Sequence, residues 1–264
     1  MAELIQIGHD GHITTVLMNR PEKLNALTED MFMAMTREIH RASGDPTVRA
    51  VVIAGSGKAF SAGADIKGYV DHGLDAFMHF QRLGRALNDA IAAAAVPVIA
   101  VVEGLALGGG FEIALACDFI VAGPNARFGL PEVKLGLLPG GGGTQRLPRI
   151  IGHQQAKSLL FTGDTLDAQS ALEQGIVLAV AEDPHEQARR LAGRFLPWPR
   201  RAIAAIKQAV NEASPLEIGL ALEYQSLLAL YQSPEGQEGM RAFVEKRPPR
   251  FRDLGGSGEG GREP

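Results

Sequence analysis

The chain of 264 residues holds one cysteine, Cys117, and one tryptophan. A single thiol excludes an internal disulfide framework and any metal site built from several cysteines. It fits a reducing compartment, so a cytoplasmic location is expected. Positive charge is scarce as well: 26 Lys and Arg against 30 Asp and Glu leave a net charge of −4. No global field is available to hold nucleic acid or an anionic membrane, and neither is expected as a partner. The longest uncharged apolar run lies between Asp89 and Glu103 and is broken by Pro97. It falls short of the roughly 20 residues needed to cross a bilayer. The first residues carry no basic segment leading into an apolar one, so no secretion signal is expected.

Glycine and apolar residues are what the sequence has in plenty. At 45% hydrophobic it can bury a sizeable core, and its 32 glycines exceed the average usage of about 7%. Leu4 to Ile7 and Ile13 to Leu17 flank Asp10-Gly11, which predicts a hairpin. Thr28 can cap a helix whose stripe is Phe32, Met35, Ile39 and Ala42. A β-branched run over 48–54 reads as a buried strand, followed by a helix over about 75–95 and a second buried strand over 96–102. A third unit places glycines 108–110 before a helix through Glu112 to Ala116 and a strand from Phe119 to Ala122. This alternation predicts an α/β fold. From about 153 helix prevails, with Asp167 as a cap, Gly175 as a stop and a strand over 176–180. Pro197 and Pro199 mark a boundary between a region 1–196 and an all-helical region 197–253, read as helices over 200–212, 215–232 and 236–246. Residues 254–264 have no apolar content to bury and are expected to be disordered.

Nucleotide readings of the glycine-rich stretches fail on spacing. Gly57-Lys58 is followed by Ala59, where a phosphate loop needs Ser or Thr for magnesium, and Gly104 to Gly110 lacks the dinucleotide spacing. Ser56, Ser61 and Ser257 each miss one glycine of the nucleophile elbow, and the seven histidines show no metal-ligand spacing. Three features remain. Ser61 to Lys67 follows a strand and has the small residues that let a ligand approach the backbone. Gly108 to Asp118 stacks strand, glycines and helix in order, so the N–H of Gly109 is free to stabilise an oxyanion at the positive end of the helix, with Glu112 one turn in. Glu132 sits between Pro131 and Val133 in a largely apolar stretch, where burial would raise its pKa toward the range a general acid or base needs. Each has a plainer reading: a tight turn, a first-turn glutamate stabilising its helix, an exposed turn carboxylate.

Taken together and in order, these features resemble the enoyl-CoA hydratase/isomerase (crotonase) superfamily. The likeness runs from Asn19 to Leu27 through Ala62-Gly63-Ala64-Asp65-Ile66, Gly108-Gly109-Gly110-Phe111-Glu112, Phe128 to Glu132 and Gly143 to Leu147, and on to Phe243 to Pro249. It implies a spiral of repeated ββα units with a C-terminal helical trimerisation region, assembled as a homo-hexamer of two trimers. It further implies an acyl-CoA substrate and no separate cofactor, coenzyme A being part of the substrate. The N–H groups of Ala64 and Gly109 would hold the thioester oxygen. The backbone from Ala62 through Asp65 and Ile66 to Lys67 would border the CoA moiety, and Gly140 would help hold a water. Paired Glu112 and Glu132 would add that water syn across the C2=C3 bond of a 2-enoyl-CoA. The alternatives are an isomerase or another enolate-forming lyase or decarboxylase, and a binding protein without chemistry. Phe111, where many hydratases have a smaller residue, is expected to pack behind its helix. The basic residues Arg241, Lys246, Arg247, Arg250 and Arg252 would supply a local positive patch near the CoA phosphates.

Overall fold

The computed structural model describes residues 4–198, 200–212, 224, 227–229 and 231–250. The chain opens with the hairpin β1 (Ile5–Asp10) and β2 (Ile13–Met18), paired antiparallel with Asp10 opposite Ile13. Then α1 (Glu29–Gly44) starts where the Thr28 side chain accepts a hydrogen bond from Met31 N, and its buried stripe is Met31, Phe32, Met35, Ile39 and Ala42.

From β3 (Ala50–Gly55) onward each long buried strand is followed by a strand of only three residues. β3 precedes β4 (Ala59–Ser61) and α2 (Gly73–Ala93); β5 (Val98–Val102) precedes β6 (Leu105–Leu107) and α3 (Gly109–Ala116); β7 (Phe119–Ala122) precedes β8 (Arg127–Gly129) and a 3-10 turn at Pro131–Leu135. The first strand of each unit joins a sheet of order β1-β2-β3-β5-β7-β10, parallel from β2 onward. The second joins a smaller sheet, β4-β6-β8-β9. Here β9 is Thr165–Asp167 and β10 is Ala179–Val180. The expected strand over 176–180 is shortened to these two residues, because Ile176 and Val177 are spent closing the turn after Gly175 through bonds to Ala171 O.

β3 and β5 are buried at every position except Gly55, so they read as continuous apolar runs between layers. The main core spans both layers and includes Phe60, Phe77, Leu87, Phe111 and Phe128. Phe111 is 1% exposed and packs on Phe128, ring centroids 5.3 Å apart, as expected of a residue behind its helix. Four further helices follow: α4 (Gly143–Ile151), α5 (His153–Thr162), α6 (Ala168–Glu173), capped by Asp167, and α7 (Pro184–Gly193). In the C-terminal region α8 is Arg200–Glu212 and α9 is Pro234–Val244. The expected helix over 215–232 falls largely, and the tail 254–264 wholly, outside the described residues.

α8 is bound to the core by Lys207. Its Nζ donates to Ile91 O at 2.8 Å and Val96 O at 3.3 Å, and pairs with Asp118 Oδ2 at 2.8 Å. Among the described residues no helix is long and apolar enough to cross a membrane.

Candidate functional site

The junction between β6 and α3 is made by Gly108, at φ +50° and ψ −129°. Side-chain-bearing residues rarely adopt that conformation, and a Cβ there would lie 3.1 Å from Glu132 Oε1. Gly109 then opens α3, so its N–H has no partner within the helix. The neighbouring segment is fixed by a parallel bridge between Leu27 and Ala64: Leu27 N donates to Gly63 O at 2.8 Å and Asp65 N to Leu27 O at 2.9 Å. In that pattern the Ala64 N–H points away from Leu27. A Cβ on Gly63 would stand 3.7 Å from Gly109 N, so the two glycine-bearing turns touch. Both Ala64 and Gly109 line one cavity of about 150 Å³.

Glu112 enters this cavity from α3 and is 4% exposed. Its Oε1 accepts from Gly141 N at 2.8 Å and Gly143 N at 2.9 Å. Burial pushes its pKa up, while those bonds and the nearby Arg146 guanidinium oppose the rise. The carbonyl of Gly141 accepts from Arg146 Nη1 and from Asn88 Nδ2, each at 2.8 Å. Gly141 thus donates to the carboxylate through its N–H, while its carbonyl is held by two donors. No side chain fits at this position, because a Cβ on Gly141 would come within 2.6 Å of Glu112 Oε2.

Glu132 reaches the same cavity from the 3-10 turn Pro131–Leu135. The buried Tyr69 lies within range of it: burial first, and the Glu132 charge second, drive the Tyr69 hydroxyl pKa upward. Ala62, Ile66 and Gly140 also form part of the wall. The structure does not bring Asp65 and Lys67 to it. Asp65 Oδ2 pairs with Arg20 Nη2 at 3.1 Å and Lys67 is exposed. Tyr69, three residues past Ile66, is in the wall.

Sequence reasoning missed the part of the wall that α2 supplies: Gln81, Arg85 and Asn88, with Gly84 between them. Their spacing of four and then three residues puts them on one helix face, which looks like a solvent face in sequence. The expected basic patch near the C-terminus is partly consumed inside the chain. Arg247 pairs with Glu238 at 2.5 Å and with Glu245 at 2.6 Å, and Arg250 N donates to Glu238 Oε1. Arg252 lies outside the described residues. Among the described residues no three His, Cys, Asp or Glu side chains group as a metal site would require.

Residues 8–254 match the family model described as enoyl-CoA hydratase/isomerase. The chain belongs to the enoyl-CoA hydratase/isomerase family. It is 41% identical to a probable enoyl-CoA hydratase of Mycobacterium tuberculosis, over 94% of this chain and 98% of that protein. It is 38% identical to a crotonyl-CoA hydratase of Syntrophomonas wolfei, again over 94% and 98%. The crystal structure of an enoyl-CoA hydratase from Mycobacterium avium subsp. paratuberculosis is similar with a TM-score of 0.85 at 33% identity, covering 94% of this chain and 98% of that one. The mixed α/β architecture with parallel strands is therefore that of the enoyl-CoA hydratase/isomerase family. In a member of this family the two glutamates and the two backbone turns stand around one cavity.

Proposed function

We propose that this protein is an enoyl-CoA hydratase acting on short 2-enoyl-CoA thioesters. The observation that carries the reading is that Glu112 and Glu132 line the same cavity as the Ala64 and Gly109 backbone. The thioester oxygen accepts hydrogen bonds from the N–H groups of Ala64 and Gly109, which draw electron density from the C2=C3 bond and leave C3 electrophilic. Negative charge gathers on that oxygen as the enolate forms, and loss of one such donor typically costs about 10²- to 10³-fold in rate. Glu112 acts as the base toward water: two backbone donors on Oε1 favour its carboxylate, leaving Oε2 to take the proton. Glu132, in its acid form, delivers a proton to C2. Ala62 and Ile66 border the thioester side of the cavity and Gly140 the water side.

The cavity volume of about 150 Å³ supports a short acyl group. Space of that size holds a benzene-sized guest in a protein interior, so an acyl chain of roughly four to six carbons is the fit. The crotonyl-CoA hydratase name of the Syntrophomonas relative supports the same choice. The test is the absorbance of the enoyl-thioester band of crotonyl-CoA on addition of purified protein. Its decay supports the reading, and an unchanged band with C4, C6 and C8 substrates sinks it.

Isomerisation is the second reading, favoured by the family's scope. It requires Glu132 and tolerates Glu112→Gln, whereas hydration suffers from loss of either carboxylate. The assembly we propose is a trimer-based homo-oligomer, supported by the exposed Ile150, Ile206 and Val210 that line an apolar groove of about 560 Å³. Light scattering that returns a monomer at micromolar concentration would overturn it.

A further inference from the structure

The two polar atoms of the Asn88 side chain meet different surroundings. The residue is 3% exposed on α2 and lines the cavity with both glutamates. Its Nδ2 donates to Gly141 O at 2.8 Å. A carbonyl can only accept, so this bond fixes which end of the amide is nitrogen. The other end, Oδ1, is buried and meets no donor among the described residues. A buried acceptor without a donor carries the full desolvation penalty, and such a group in a native cavity wall calls for an explanation.

The place of this amide beside Glu112 supplies one. A Cβ on Gly141 would lie 2.6 Å from Glu112 Oε2 and 3.0 Å from Asn88 Nδ2, so carboxylate and amide flank the same backbone atom. On the hydratase reading, on which this step rests, the water oxygen forms its bond to C3 as one of its protons passes to the Glu112 carboxylate. Glu132 gives its proton to C2, and exchange of one proton between the pair restores the starting state. The second O–H of the water never leaves: it becomes the 3-hydroxyl of the product. Glu112 is taking the first proton at that moment and Glu132 is donating one, so one oxygen of each carboxyl is occupied in that exchange. An acceptor outside that exchange would hold the retained O–H without competing with proton transfer, and Asn88 Oδ1 is an unpartnered one on a residue of the same wall.

We infer that Asn88 Oδ1 accepts the retained O–H of the attacking water and then the 3-hydroxyl of the bound product, making Asn88 a third catalytic side chain beside the two glutamates. The contact orients a water lone pair toward C3, and it lets the site distinguish a 3-hydroxyacyl-CoA from its saturated counterpart.

The experiment measures dissociation constants of each hand of 3-hydroxybutyryl-CoA, and of butyryl-CoA, for the wild type and for Asn88→Leu, which keeps the branched shape and removes both polar atoms. The wild type should prefer one hand of the 3-hydroxy ligand over butyryl-CoA. Asn88→Leu should weaken that ligand by about 10-fold or more while butyryl-CoA binding stays within about twofold. Equal weakening of both ligands would mean that Asn88 serves only to hold Gly141, and it would overturn the inference, as would no weakening of either. If Asn88→Leu does not fold, Asn88→Ala is read by the same two ligands and the same criterion. Hydration of crotonyl-CoA by the wild type separates the two claims. Turnover with a non-selective loss in the variant removes the role of Asn88 alone. Absence of wild-type turnover removes the hydratase reading, and the ligand preference still decides whether Asn88 meets a 3-hydroxyl.

Discussion

Two carboxylates at either end of α3 are both withdrawn from water, and they are handled differently. Asp118, just beyond the helix, pairs with Lys207 and accepts from Val98 N at 2.7 Å; both its donors converge on Oδ2. Lys207 is itself spread over two backbone carbonyls. Glu112, at the start of the same helix, accepts from the backbone amides of Gly141 and Gly143 on Oε1, while the Arg146 guanidinium spends a hydrogen bond on Gly141 O. Burial raises the pKa of both groups. The difference is in what stands opposite. A full counter-charge makes Asp118 a rivet between α8 and the sheet. Fixed dipoles keep Glu112 in place without neutralising it, and that is the condition in which a carboxylate can still exchange a proton.

Removing the exchangeable proton site should produce the largest effect. Glu112→Gln retains an acceptor for Gly141 and Gly143 but cannot take a proton, so kcat/KM for crotonyl-CoA hydration should fall by about 10²- to 10⁴-fold, read from initial rates. The rivet should respond in the opposite currency. Lys207→Met leaves a buried aspartate without its counter-ion, and urea unfolding should show a loss of about 3–5 kcal/mol, with kcat of the folded fraction unchanged. A drop in kcat with no loss of stability would erase the distinction between the two carboxylates.

A third, smaller effect concerns pH. The folded pKa of Glu112 lies above its ordinary value of 4.5, so its contribution to stability is complete below that pH. It is lost as pH rises through the folded pKa, where the buried group must ionise. Glu112→Gln does not titrate. Its melting temperature relative to the wild type should therefore rise between pH 4.5 and pH 8, and a flat difference across that range would mean that burial costs Glu112 nothing. The smallest effect is expected at the surface. Arg247 holds the pKa of Glu238 down to about 2, but the pair is only half-buried at the surface, where solvent screens it. Its support is present above the ordinary glutamate pKa and disappears as pH falls toward 2. Arg247→Ala should hardly move the melting temperature at pH 7, less than any variant above.

How much of this was legible in the sequence depends on how each part is encoded. The long strands and α1 to α3 follow from runs and stripes long enough to carry a period; Thr28 marked the start of α1, and Asp167 and Gly175 the two ends of α6. The smaller sheet did not show, because strands of three residues such as Ala59–Ser61 and Leu105–Leu107 are too short for alternation to register. α4 was hidden by Pro148, which reads as a helix breaker yet sits inside the helix. Glu112, Glu132 and the glycines were found through their order along the chain. The Gln81, Arg85 and Asn88 face of α2 was not, since a polar stripe at helical spacing carries no sign of whether it faces water or a ligand. The one available hint was Gly84 among them, a residue with no reason to sit mid-helix unless something approaches; a Cβ there would stand 3.2 Å from the Phe32 ring.

The division of labour between backbone and α2 bears on how such a protein changes over evolutionary time or in a laboratory. The groups assigned to activate the thioester are main-chain amides at Ala64 and Gly109, fixed by strand junctions and glycine geometry. A point mutation cannot delete an amide except through proline. The wall from Phe77 to Arg85, by contrast, is written largely in side chains on one regular helix. Its residues can be exchanged one at a time without touching the activating apparatus, which makes α2 the natural panel on which to rewrite the acyl preference of this scaffold.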